Sequence, residues 1–236
     1  MQSISTTTDS NDIAQRVAAV EARICAAAQA AGRDRQAVTL IAASKTQSTG
    51  AVQAAHAAGV AHFGENYLQE AIGKVSECAE MQITWHFIGA IQGNKTRQVA
   101  ENFDWVHTVD REKIARRLND QCPTGKRLNV CLQINIDEDP NKAGVLPDQA
   151  SGLLDSVQGL DNLRIRGLMT ILHPQTDPAN GYGRLNRLFQ ELSPQARGQW
   201  DSLSMGMSGD CEAAIAAGAT HVRVGTAIFG PRNISR

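Results

Sequence analysis

The sequence predicts an α/β fold, a single-domain (β/α)8 TIM barrel with an extra N-terminal helix. Three observations carry this expectation. Eight short strand-like runs recur along the chain, helical patterns separate them, and no Pro/Gly-rich linker divides the whole. A doubly wound open sheet is the competing arrangement, but the unbroken alternation favours one closed domain. A chain of 236 residues buries roughly 70–75% of its unfolded surface, so it needs no disulfide scaffold.

Residues 1–11 are rich in Ser and Thr and read as a disordered tail, leaving 12–236 as the barrel. Over 12–31, Ile13, Val17, Val20, Ile24 and Ala27–Ala28 recur at helical spacing, with Asp12 placed to cap the start and Gly32 to close the end. The strand-like runs follow at 38–43 (VTLIAA), 60–63 (VAHF), 84–88 (TWHFI), 105–109 (WVHTV), 128–136 (LNVCLQINI), 163–169 (LRIRGLM), 202–205 (SLSM) and 221–224 (HVRV). Helical segments lie near 48–58, 66–80, 94–101, 111–120, 147–159, 180–198 and 210–217. No internal repeat is evident beyond this alternation.

Net charge is −1 and the pI is about 6.6, so there is no broad basic field to bind nucleic acid or an anionic membrane. The five cysteines form no C-x-x-C pair and read as reduced thiols of a cytoplasmic protein. The polar start MQSISTTTDSN lacks the apolar core of a signal peptide, and no run is long enough to cross a membrane. The six histidines show no metal-ligand spacing, so no metal is expected. No G-x-S-x-G elbow and no Walker or G-x-G-x-x-G loop occurs.

In a barrel, functional groups sit just beyond the strands' C-terminal ends. Lys45 meets that condition in VTLIAASKTQ, two residues past the first strand. After the second strand, FGENY presents Asn66, either as a helix cap with Gln69 or as a ligand contact. His86 lies within the third strand among apolar neighbours and reads as a core histidine. The polar loop 135–144 reads as a flexible lip of the site, with Lys142 a minor candidate for a second anion contact. After the seventh and eighth strands come SMGMSGD and VRVGTAIFG, whose glycines and hydroxyls have the place and composition of a barrel phosphate cradle. Asp210 and Glu212 open the next helix, so an anion must lie toward Ser208 and Gly225–Thr226. Arg223, inside VRVG, either pairs with a carboxylate or meets a ligand at the mouth.

The first and last strands are neighbours once a barrel closes, so Lys45 and 223–226 should share one mouth. Desolvation and a second cation nearby would lower the amine's pKa, which suits condensation with an aldehyde. With a phosphate cradle beside it, the pattern describes pyridoxal 5'-phosphate (PLP) held as a Schiff base.

The segments ASKT, FGENY-x-QE, WHFIG-x-x-Q-x-NK, IRGLM, LSMGMS-x-D-x-EAAI-x-AG and VR-x-GTAIFG resemble those of the pyridoxal phosphate homeostasis proteins (the YggS type). The resemblance runs from about residue 12 to residue 230. It implies the barrel of the alanine racemase N-terminal domain, with Lys45 as the Schiff-base lysine. It further implies that Ser208, Gly225 and Thr226 hold the phosphate with Met207 close by. Arg223 would approach the pyridine nitrogen, and Asn66 and His86 would line the ring's surroundings. Ala90 and Gly93 stand where that family usually has Pro and Ser, which puts the side chains of the third-strand loop in question.

An arginine at the pyridine nitrogen weakens the ring as an electron sink. Racemases of this barrel also use a second domain and an opposing tyrosine. Here the sequence ends six residues after Gly230, and its tyrosines are Tyr67 and Tyr182. The expectation is therefore a non-enzymatic PLP-binding protein of cofactor homeostasis, a monomer or weak dimer with PLP-dependent apo-enzymes as candidate recipients. An amino acid racemase is the alternative, and a phosphosugar enzyme using Lys45 is a third reading.

Overall fold

The computed structural model describes residues 10–231. Its eight strands are β1 (Thr39–Ala43), β2 (His62–Glu65), β3 (Thr84–Phe87), β4 (Trp105–Val109), β5 (Leu128–Gln133), β6 (Leu163–Met169), β7 (Ser202–Ser204) and β8 (His221–Val224). They close into one parallel barrel in chain order. Closure makes β1 and β8 neighbours, as the sequence predicts, and sets Ile41 beside Arg223 and Ala42 beside Val224.

The helices are α1 (Ser10–Ala30), α2 (Thr49–Ala57), α3 (Leu68–Glu77), α4 (Thr96–Asn102), α5 (Glu112–Asp120), α6 (Ala150–Val157), α7 (Pro178–Leu192), α8 (Cys211–Ala216) and α9 (Thr226–Phe229). Among the described residues only the four-residue α9 follows β8, and α1 packs against α2, α8 and α9, filling that gap in the outer ring. Its stripe of Ile13, Val17, Val20, Ile24 and Ala28 is buried, worth about 1.5–3 kcal/mol for each large side chain. Gly32 closes the helix at φ +65°, with Arg33 N–H donating back to the Ala28 carbonyl.

Several boundaries differ from expectation. Helix α1 begins at Ser10, so Ser10 and Asn11 belong to it and Asp12 lies in its first turn rather than at its cap. The rest of the expected tail lies outside the described residues. The second strand is shifted toward Gly64 and Glu65, because Gly64 pairs with Ala43 and a Cβ there would meet Ile41 and Ile88 at 2.9 Å. Helix α3 starts at Leu68 after Tyr67, with no side-chain cap, so the Asn66–Gln69 capping box is not formed. The expected flexible lip is tied down. Asp137 accepts from Lys142 Nζ (2.5 Å), His173 N–H (2.7 Å) and the Thr176 hydroxyl (2.8 Å).

The apolar core lies between the barrel and its helices. The lumen is filled differently, by Trp105, Cys131 and Met169 together with histidines. The Trp105 ring lies 4.9 Å from His221 and 5.7 Å from His86. No helix among the described residues is long and apolar enough to cross a membrane.

Candidate functional site

At the C-terminal ends of β1, β7 and β8 lies a cavity of about 290 Å³, lined by Ala43, Lys45, Gln47, Met207, Ser208, Gly209, Arg223, Gly225, Thr226 and Gly230. Two basic side chains and two hydroxyls line it, and no carboxylate does.

Lys45 stands at the apex of a tight turn between β1 and α2. Gln47 N–H donates to the Ser44 carbonyl at 3.0 Å, and Thr46 adopts φ +64°. That is an unusual conformation for a β-branched residue. Ser48 then caps α2 by accepting from Ala51 N–H at 3.2 Å.

Arg223 is 5% exposed. No carboxylate pairs with it, and it lines the cavity. Its guanidinium donates to Ser204 Oγ at 2.7 Å and to the Thr170 carbonyl at 2.8 Å. Burial lowers its pKa, while Tyr182 and Asp210 oppose that shift. Behind Ser204 runs a line of imidazoles. His107 Nδ1 is 2.7 Å from Ser204 Oγ, His107 Nε2 is 2.9 Å from His86 Nδ1, and His86 Nε2 is 3.0 Å from His62 Nδ1. Desolvation, reinforced by neighbouring basic groups, pushes the pKa of His86 and His107 well down. Each ring is therefore neutral, with one donor and one acceptor nitrogen. Arg223 donates to Ser204 Oγ, and the hydroxyl joins the row as donor or acceptor according to the tautomer of His107.

On the far wall, Gly225 N–H lies 3.3 Å from Ser208 Oγ, and a Cβ on Gly225 would stand 3.2 Å from the Ala43 carbonyl oxygen. The acidic residues of α8 are turned elsewhere. Asp210 accepts from Met207 N–H (2.6 Å) and Tyr182 OH (2.8 Å). Glu212 pairs with Arg23 of α1 at 2.7 Å, which holds its carboxyl down at about 2. Arg23 also donates to the Ser208 carbonyl at 3.0 Å, so α1 braces the same loop.

The pattern "Alanine racemase, N-terminal domain" matches residues 16–233 of this chain. The pyridoxal phosphate homeostasis protein of Pseudomonas aeruginosa is 54% identical over 222 residues, covering 94% of this chain and 96% of that protein. The chain belongs to the pyridoxal phosphate homeostasis protein family. Its Escherichia coli K12 relative of that name is 45% identical, covering 96% of this chain and 99% of the relative. PipY of Synechococcus elongatus, solved with PLP bound, superposes with a TM-score of 0.81 at 37% identity, covering 92% of this chain and 100% of PipY. Alanine racemase from Corynebacterium glutamicum shares the fold, with a TM-score of 0.67 at 16% identity; it is matched over 96% of this chain and 62% of the racemase.

For this family member, the structure brings six of the eight expected site residues to one cavity: Lys45, Met207, Ser208, Arg223, Gly225 and Thr226. Asn66 and His86 are not among its lining residues. Asn66 borders two neighbouring cavities, where its Oδ1 is buried without a partner. His86 is fully buried in the lumen and connects to Arg223 only through His107 and Ser204. Lys142 borders a neighbouring cavity, its charge met by Asp137. Sequence reasoning missed Ala43, Gln47, Gly209 and Gly230 as lining residues. Gln47 had a signal, two positions beyond Lys45 on the same turn.

Proposed function

We propose that this chain binds PLP in the cavity and serves PLP homeostasis, holding the cofactor and passing it to PLP-dependent apo-enzymes. The observation that carries this reading is the donor set. Lys45 and Arg223 face hydroxyls and glycine backbone in a cavity without a carboxylate, which suits an anionic phosphate joined to an aldehyde. When bound, PLP supplies an aldehyde that condenses reversibly with a primary amine. Lys45 supplies that amine, and Ser208, Gly225 and Thr226 supply phosphate donors, with Met207 alongside. Arg223, which lines the same cavity, would meet the ring. A guanidinium donates hydrogen bonds but does not give up its proton, so beside a pyridine nitrogen it would leave that nitrogen unprotonated.

Tyr182 does not line the cavity. Its hydroxyl is committed to Asp210, and desolvation together with Asp210 pushes its pKa up. Both features oppose a racemase-like proton exchange at this residue. The cytoplasmic placement draws support from five cysteines that are all free.

The test is an absorbance titration of purified protein with PLP, followed by borohydride reduction and peptide mass mapping. A yellow, saturable adduct on Lys45, lost at that position in Lys45→Ala, is the expected result. Protein that gains no colour with added PLP overturns the reading. Exchange of the alanine α-hydrogen in deuterated water at a turnover rate would instead support a racemase.

A further inference from the structure

The motif FGENY-x-QE contributes two carboxylates that line no part of the cavity. Glu65 ends β2 and is fully buried. Glu70 lies in the first turn of α3, and Lys74, one turn later, is 3% exposed. An ammonium has three N–H donors, and Lys74 places them on three acceptors. These are the Ser44 carbonyl at 2.7 Å, Glu65 Oε1 at 2.9 Å and Glu70 Oε1 at 2.5 Å. The two carboxylates then reach the Lys45 turn themselves. Ser44 Oγ donates to Glu65 Oε1 at 2.6 Å, and Thr46 N–H donates to Glu70 Oε1 at 2.7 Å. One chain neighbour of Lys45, Ser44, is thus fastened to Glu65 and Lys74, and the other, Thr46, to Glu70, all within one cluster.

We propose that Glu65, Glu70 and Lys74 are positioning residues that clamp the Ser44–Lys45–Thr46 turn and aim the Lys45 amine into the cavity. Packing alone does not call for them. A buried ion cluster carries a desolvation cost that apolar side chains of similar size avoid. The strained bond is also the one they hold, since Thr46 in its left-handed conformation is retained where surrounding structure over-determines it. Releasing Thr46 N–H lets that residue return to an extended conformation, which swings the preceding side chain. Helix α3 thereby reports its position to Lys45.

The inference rests on Lys45 being the residue that links to PLP, and its test separates the two. Glu70 is the residue to change, because its side chain is 30% exposed and its loss leaves the fold standing. In Glu70→Ala, the equilibrium constant for the PLP–Lys45 link falls by about tenfold or more. The dissociation constant for pyridoxine 5'-phosphate, which has the phosphate but no aldehyde, stays close to wild type. Glu70→Gln restores the link, because its side-chain carbonyl still accepts from Thr46 N–H. Thr46 amide hydrogen exchange, followed without ligand, speeds up in Glu70→Ala and recovers in Glu70→Gln. Equal weakening of both vitamers, or unchanged Thr46 exchange, overturns the clamp. Should wild-type protein form no link with PLP, the cofactor reading falls, and Thr46 exchange with the rate of reductive methylation of Lys45 still decides the clamp.

Discussion

Two cations line the same cavity, and the protein supports them by opposite means. The Lys45 turn is held from behind by charges, a lysine between two glutamates. Arg223 is held by a hydroxyl and a carbonyl, with neutral imidazoles behind them. Charge pairing, with solvent access at one edge of the cluster, explains the difference. The Glu70 side chain is 30% exposed, so water shares in stabilising that cluster. His86 and His107 are fully buried, and a second charge so close to Arg223 in the lumen has no comparable relief. The charged cluster is thus internally paired, with Glu65 and Lys74 buried and water reaching it through Glu70, whereas the relay behind Arg223 is neutral.

The largest effect is expected from breaking the charged side. Lys74→Met leaves the Glu65 carboxylate buried and unpaired, at a cost of about 3–5 kcal/mol, measured by urea unfolding. Adding Glu65→Met removes the stranded carboxylate and recovers most of that stability, since apolar replacement of a buried pair is often neutral. The link between PLP and Lys45 stays weakened in the double variant. Full recovery of both would reduce the cluster to a packing element.

A smaller effect is expected on the neutral side. His107→Phe leaves His86 Nδ1 and Ser204 Oγ without their partner, costing about 1–3 kcal/mol. The two sides also differ in the sign of their pH response. His62, His86, His107 and His221 all have folded-state pKa values below their ordinary value, chiefly from desolvation. The unfolded chain binds more protons there, so their stabilisation is complete above about pH 6.5 and drains on acidification. His221 continues that loss down to about 3. Glu65 has the opposite shift, raised mainly by desolvation. The folded state holds its proton longer, so that contribution weakens as pH rises through the window above the ordinary carboxyl value. Denaturant midpoints followed across this range should fall toward acid in wild type and fall less steeply in His107→Phe. Parallel acid limbs for the two proteins would show that the imidazoles do not carry the effect.

The same contrast explains what could be read in the sequence. Apolar runs and their spacing announced eight strands, and closure alone joined Lys45 to 223–226, because both rest on local pattern and topology. The second strand was misplaced because Gly64 and Glu65 look like a turn. Glycine is needed there for close packing on Ile41 and Ile88, and Glu65 is tolerated because Lys74 meets it from the next helix. Arg223 offered two readings, a carboxylate or a ligand, and in place of a carboxylate it meets a hydroxyl and a carbonyl while lining the cavity. Neither partner lies near it in sequence, and no periodicity encodes them. His86 was legible as a core residue, but its link to Arg223 passes through β4 and β7, which only the closed barrel brings together.

The smallest effect isolates charge from geometry at the boundary between the two regimes. Glu70→Gln keeps an oxygen for Thr46 N–H but removes the negative charge facing Lys74. At partial exposure such a pair is worth about 0.2–1 kcal/mol. Moving from 0.1 M to 1 M salt shortens the screening length from about 10 Å to about 3 Å. Wild-type stability should therefore lose a fraction of a kcal/mol relative to Glu70→Gln as salt rises, and the gap between them should close. The His107→Phe difference from wild type should not move with salt, because it removes no charge. If the Glu70→Gln gap proves salt-independent and as large as that of Lys74→Met, then Glu70 is energetically buried. The charged side would then owe nothing to solvent, and the distinction drawn from exposure would fail at that residue.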